Sequence, residues 1–552
     1  MHPITNLNRI NNARINNARI NKIWINKTWL ANLAFLVAAA FLFVSTAHAA
    51  APGITGPNFD LTAAPGYITQ PDGSSIYSWG YGCNTAPGGF APATITNASC
   101  PVGSMQLPGP TLIVNQGDTV TVTLHNNLPV AAGNTSILFP GFSVTATGGT
   151  AGILAREAAN LGTVSYSFVA DTPGTHTYYS GTQGDLQVEM GLYGALIVLP
   201  TLGGSVPTGY TSPTSLPDTC HAHATGATAT LPNGLPDFRL AVAAYNHPSA
   251  CYDREYLFQF SEIDPVIHSQ AEAQAALPCT QTTGCMVVAT EPYVPAYFMV
   301  NGRSMPDLMD PNYAVQYPHQ PYNGNPHMHP GELVLLRVIG TGRWQHPFHE
   351  HDNHVRVLAR DGNLLLTAAT NKLAGPLLFT TTTTPGQTLD GIFQWTGKGL
   401  NWDVYAHTAG HTEPCNPDAN GYYTTGSTPP APLTAPNYYE WCADHEKPLE
   451  SKPFGQVGSG GPVTLPDPNI LANGAWYGGS PYLGPEATQR AVGSSPIPPS
   501  GTVGNSPTDE AGFAYMWHSH NEREITTNNA FPGGMMMMML VDPWVFNIIE
   551  AN

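Results

Sequence analysis

Charged residues are scarce in this sequence. Only 10% of its 552 residues are Asp, Glu, Lys or Arg, against about 25% in an average globular protein. Bases are the scarcest of all: Lys and Arg number 19 against 37 Asp and Glu, and the formal net charge is −18. A chain so poor in cations argues against a nucleic-acid partner, whose phosphates need basic patches to neutralise them. Low charge with 42% hydrophobic residues also excludes a charge-swollen disordered chain and a coiled coil. Past the first fifty residues, no run is apolar enough for a membrane helix, which needs about 20 residues. None of the eight cysteines stands in C-x-x-C spacing, so no zinc or dithiol redox motif is read from them.

What is plentiful points one way. Gly (56) and Pro (52) are frequent, as an all-β protein with many turns requires. The length suits two to four domains of roughly 100–200 residues each. Histidine (20) outnumbers Lys and Arg together.

The N-terminus has the order of an export signal. Arg9, Arg14, Arg19, Lys22 and Lys27 occur without an acid in residues 1–28, followed by the apolar run Leu30 to Val44 and then "STAHAA". Residues 1–49 are therefore expected to be a signal peptide cut after Ala49. The mature protein is then periplasmic, cell-surface or extracellular, with no membrane span. An even number of cysteines in an exported chain reads as disulfides. Neighbour pairing (83–100, 220–251, 279–285, 415–442) is the simplest of the connectivities that the sequence leaves open.

Strand signals recur twice. "PTLIVNQGDTVTVTLHNN" (110–127) alternates apolar and polar residues around a Gly-Asp turn, "VSYSFVADTPGTHTY" (164–178) reads strand–turn–strand, and "GLYGALIVLP" (191–200) is a buried closing strand. Residues 55–200 thus form one expected β-sandwich, and 201–236 a linker. The pattern restarts with "FRLAVAAYN" and "EYLFQFSEIDPV". "GELVLLRVIG" (331–340), "TTPGQTLDGIFQW" (383–395) and "GGMMMMMLVDP" (533–543) then echo the first set. This gives a second domain at 237–547, swollen by a loop-rich insertion at about 400–510, with "SQAEAQAAL" (269–277) as a short helix.

Two histidine clusters carry the chemistry. "WQHPFHEHDNH" holds His346, His349, His351 and His354, and "MWHSHNERE" holds His518, His520, Glu522 and Glu524. On strands, side chains two apart share a face. His349 with His351, and His518 with His520, can therefore converge on one metal centre, and imidazole suits copper, zinc, iron or nickel. His346, His354, Glu522, Glu524 and Met535 are secondary candidates. His327 and His329, His407 and His411, and His221 and His223 are weaker pairs. The Met535–Met539 run reads mainly as core packing, with Met535 a candidate soft ligand.

These segments resemble multicopper oxidases built from cupredoxin domains. "HPFHEHDNH" is similar to that family's H-P-x-H-x-H motif, and "WHSHNERE…GGMM" to its H-C-H-x-x-x-H…M motif. "GNTSILFPG" (133–141) and "DTPGTHTYYSGTQGDLQVEMGLYGALIV" (171–198) resemble its two first-domain segments. The resemblance implies an all-β chain of two cupredoxin-like Greek-key β-sandwich domains, with copper as cofactor. It also implies roles. His349 matches a ligand of the mononuclear type 2 copper, while His351, His518 and His520 match ligands of the binuclear pair. His346 matches a blue-copper ligand.

The departures are as specific as the matches. Leu138, Pro140, Tyr179 and Gly181 stand where four first-domain histidines belong. Ser519 replaces the blue-copper cysteine, whose thiolate defines such a site, and Glu524 replaces its second histidine. The expected protein is an exported, degenerate family member holding one or two copper ions (or another divalent metal) and oxidising a small phenolic or metal-ion substrate. The other expectation is a non-catalytic cupredoxin for copper binding, sequestration or delivery. Either accommodates an oligomer.

Overall fold

A computed structural model describes residues 51–201, 237–279, 284–398, most of 414–443, and 479–481, 513–542 and 548. The expected signal peptide, nearly all of the linker and most of the insertion lie outside these residues, as do His221, His223, His407 and His411.

The first sandwich has two five-stranded sheets. One runs in the order Gly174–Tyr179, Tyr193–Leu199, Leu112–Asn115, Gly53–Thr55, Phe90–Ala91. The other runs Ser75–Cys83, Asn58–Thr69, Thr119–Asn126, Thr163–Val169, Thr145–Gly148. Strict alternation in Thr119–Asn126 turns Val120, Val122 and Leu124 into the core, as a strand with one buried face must. Gly117, at φ +90°, makes the turn before it. The closing strand Tyr193–Leu199 is buried almost throughout.

The second sandwich pairs a seven-stranded with a six-stranded sheet. The first runs Tyr297–Val300, Arg254–Ile263, Leu333–Gly340, Thr388–Gln394, Val355–Arg360, Asn363–Leu364, with Leu377–Leu378 on Val355–Arg360. The second runs His327–Met328, Met536–Val541, Phe513–Ser519, His346–Glu350, Thr380–Thr383, with Gly479–Pro481 on Phe513–Ser519. Phe260, Phe348, Phe393, Trp395 and Trp517 lie between them. The edge-on contact of Phe393 with Trp517, at 5.0 Å, is worth about 0.5–1.5 kcal/mol beyond its burial and anchors the strand that ends in the second histidine cluster. The expectation of an all-β chain with two β-sandwiches thus holds.

Local details differ from expectation. "FRLAVAAYN" forms no strand: Asp237, the residue before it, closes a buried ion pair with Arg239 at 2.8 Å and accepts from the Arg239 amide, so the chain turns instead of extending. The short helix is Pro265–Gln274. It starts early because the Asp264 side chain accepts from Val266 N at 2.9 Å and proline sits at its first turn. Disulfides join Cys83 to Cys100 and Cys415 to Cys442. Cys251 is also disulfide-bonded, while Cys220 lies outside the described residues. The pair 279–285 is not joined by a disulfide. The Cys285 amide is pinned to Ala131 O of the first sandwich at 2.9 Å, and its thiol meets Cys279 only as a hydrogen-bonding neighbour.

The sandwiches are locked together by buried charge. Thr175 N of the first donates to Asp390 of the second at 3.0 Å, and Tyr245 donates to the same carboxylate. Arg337 pairs with Glu255 at 2.8 Å and reaches the Thr175 hydroxyl at 3.1 Å.

Candidate metal centre

The strand His346–Glu350 has two faces. His346 and Phe348 point inward, with Phe348 in the core. His349, and His351 just past the strand end, point outward. In the next strand His518 lies directly opposite His349, and Ser519 opposite Phe348. The register therefore separates the motif histidines into two sites on opposite faces of one sheet.

On the outer face four imidazoles gather. Ring centroids are 4.4 Å apart for His349–His520, 4.9 Å for His349–His351 and His518–His520, 5.1 Å for His351–His518 and 5.9 Å for His349–His518. His349, His351 and His518 are buried, whereas His520 is exposed. The Thr380 hydroxyl holds His349 Nδ1 at 2.8 Å, so metal coordination by this ring falls to Nε2. His518 Nδ1 donates to the Ser519 carbonyl at 2.9 Å, which puts the lone pair on Nε2. That atom lies 3.2 Å from His351 Nε2. Two nitrogens that share a tetrahedral ion at about 2.0–2.1 Å are about 3.3 Å apart. Burial, reinforced by the neighbouring imidazoles, depresses the His349 pKa to about 4, and burial lowers that of His518. Neutral rings are the form that binds metal. Among the described residues, no three His, Cys, Asp or Glu side chains are already gathered around a single point, so taking up an ion requires the rings to turn toward one another. Donor type, protonation and the 3.2 Å edge all fit copper.

The inner face is different. His346 Nε2 is 3.0 Å from Glu262 and its Nδ1 is 3.0 Å from Glu524. Glu524 also accepts from Ser519 Oγ at 2.5 Å and from Asn521 Nδ2 at 2.8 Å. Glu262 accepts from Arg343 N at 2.6 Å and Trp344 N at 2.8 Å. Burial alone would depress the His346 pKa, but the two carboxylates override it and lift the value to about 9. The ring is an imidazolium hydrogen-bonded through Nε2 to Glu262 and ion-paired through Nδ1 with Glu524. Gly534 makes this closure possible: a Cβ there would lie 2.1 Å from Glu524 O, the atom that also accepts from Met535 N at 2.7 Å. Met535 packs in the core. With no thiolate, and with both His346 nitrogens taken, these residues do not fit a blue copper ion.

The other candidates fall elsewhere. Glu524 stands at the inner site, away from the outer imidazoles. Glu522 is exposed, and its charge reaches His518. His354 stacks on Phe379 at 3.8 Å. His327 pairs with Asp542 at 2.7 Å, and His329 with Glu332 at 3.2 Å. Leu138 and Tyr179 form a backbone bridge, and a Cβ on Gly181 would press on Leu138 at 2.8 Å. These two first-sandwich segments therefore pair with each other. Sequence reasoning missed Glu262 and Thr380. A lone acid in the apolar "FQFSEI" was the one available signal for the first, and the threonine run 380–384 offered none for the second.

Residues 88–202 match the family model described as multicopper oxidase. An L-ascorbate oxidase of Cucurbita maxima is 42% identical over 109 residues, covering 19% of this chain and 18% of that protein. A laccase of Aspergillus fumigatus is 35% identical over 98 residues, 17% of this chain and 16% of its own. Among solved structures, a blue copper oxidase from Nitrosomonas europaea aligns over 87% of this chain and 85% of that one, with 14% identity and a TM-score of 0.41. Over residues 88–202 the chain is thus similar to multicopper oxidases. The matched stretch spans less than a fifth of these curated relatives, and the family-model match lies before the second-sandwich histidines.

Proposed function

We propose that this is an exported copper protein in which His349, His351, His518 and His520 hold one or two copper ions and oxidise a small phenolic or metal-ion substrate without a blue-copper relay. The observation that carries this reading is the gathering of four imidazoles on one sheet face, with centroids 4.4–5.9 Å apart. Copper bound there would supply one-electron chemistry between Cu(II) and Cu(I). The protein's part is orientation: Thr380 fixes the His349 ring, and the Ser519 carbonyl fixes the His518 tautomer, as outer-shell partners do at histidine metal sites. The exposed His520 edge is the side from which a substrate would approach. The inner Glu262–His346–Glu524 set supports a cycle with no mononuclear electron acceptor.

The missing first-sandwich donors favour a second reading, copper sequestration or delivery without turnover. Metal analysis with EPR, followed by oxygen consumption with a phenolic reductant, separates the two. Copper near one or two per chain with oxygen uptake supports the oxidase. Stoichiometric copper without uptake supports the carrier. Full copper content in His351→Ala and His518→Ala variants would defeat the assignment of the site.

A further inference from the structure

The five methionines Met535–Met539 divide between the two faces of their sheet. Met537 lies opposite Trp517 and Met539 opposite Tyr515, and both, like Met535, are in the core. Met536 lies opposite His518, and Met538 opposite Met516. Paired residues on antiparallel strands share a face. Met516, Met536 and Met538 therefore stand on the outer face beside the histidine cluster, around the corner set by His518. Their Cβ spacing is about 4.5–5.5 Å across strands and roughly 7 Å along them. Met516 and Met538 are half-buried, Met538 partly against the edge of the core, while Met536 is buried. The next outward pair along these strands, Ala514 and Leu540, has no donor atom, so the sulfur patch ends there.

We infer that Met516, Met536 and Met538 form a binding site for a monovalent soft metal ion, Cu(I), immediately beside the imidazoles. Thioethers select Cu(I) over hard divalent ions. Three rotatable bonds per methionine let sulfurs converge from these Cβ spacings. Three neutral ligands suit a single positive charge, and no carboxylate belongs to the patch to compensate a second. Apolar packing accounts for the inward methionines and for part of Met538, but it does not require Met516 and Met536 to stand beside the histidines on the opposite face. This inference deepens the copper reading of the outer face and rests on it for the identity of the metal.

The test uses the full chain, stripped of metal. Cu(I) is titrated anaerobically against a competing chelator, X-ray absorption reads the ligand shell, and Cu(II) loading is followed separately by EPR. The unaltered chain should show a copper–sulfur shell. The triple variant Met516→Leu, Met536→Leu, Met538→Leu, volume-conserving at each position, should lose Cu(I) affinity by on the order of 100-fold together with that shell, while Cu(II) signals at the histidines stay. Should the triple variant misfold, Met516→Leu alone should cost on the order of tenfold. A Cu(I) shell of nitrogen only, or undiminished affinity in the variants, overturns the proposal. Absence of Cu(II) at the histidines with the sulfur shell intact would instead defeat the histidine reading and leave this one standing.

Discussion

The two faces of the strand His346–Glu350 carry the same residue type to opposite ends. On the inner face His346 lies between Glu262 and Glu524, and one positive ring answers two negative groups within the protein. On the outer face His349 meets other imidazoles, whose crowding helps keep it uncharged. A histidine ringed by carboxylates holds a proton, whereas a histidine ringed by histidines is left to a cation. The spacing H-x-x-H-x-H sorts the side chains onto faces, and the residues arriving from other strands decide what each face does.

The sharpest way to break this comparison is to delete one histidine from each side. His346→Ala leaves two carboxylates buried against each other, and loss of one partner from such a set costs roughly 3–5 kcal/mol. Urea unfolding of the metal-free chain should read that loss, whereas His351→Ala should change stability by less than about 1 kcal/mol. Copper uptake should show the reverse order, lost in His351→Ala and His518→Ala.

The faces should also differ in pH dependence. The folded-state pKa of His346, about 9, lies above its ordinary 6.5, so its stabilisation is complete below pH 6.5 and is lost as pH rises through 9. Glu189, lifted by burial to about 8 and hydrogen-bonded to Tyr293 beside Glu262, acts in the same direction between pH 4.5 and 8. His349 has the opposite sign: with its pKa depressed to about 4, it withdraws stability as pH falls from 6.5 through 4, a limb shared with His268, also near 4. Thermal melts across pH should flatten on the alkaline side in His346→Gln and on the acid side in His349→Gln.

Smaller effects test the supporting residues. Thr380→Val should weaken copper binding by roughly 10–100-fold, as loss of an outer-shell partner does, with the fold intact by circular dichroism. Ser519→Cys should change least. It introduces a thiol at the inner site, yet no intense blue charge-transfer band should develop on adding copper, because Glu262 and Glu524 still flank His346.

Much of this was legible in the sequence. Alternation and turns gave the strands, and the histidine spacing gave the outward sharing of His349 with His351. Glu262 was not legible as a partner of His346, because they lie 84 residues apart and only the packing of the two sheets joins them. The division of Met535–Met539 between faces needed the register against Phe513–Ser519, since a uniform run has no alternation to read. The pairing 279–285 failed for a related reason: the contact that holds Cys285, on Ala131, comes from a distant segment.

The buried Asp390–Thr175–Arg337–Glu255 set has a consequence for the first sandwich. Thr175 and its strand are the cover on that charged set. Without them Asp390 and Arg337, now almost fully shielded, would meet water. The first sandwich is thus what makes the second a complete folding unit. Neither half should persist alone, and the pair should melt in one calorimetric transition.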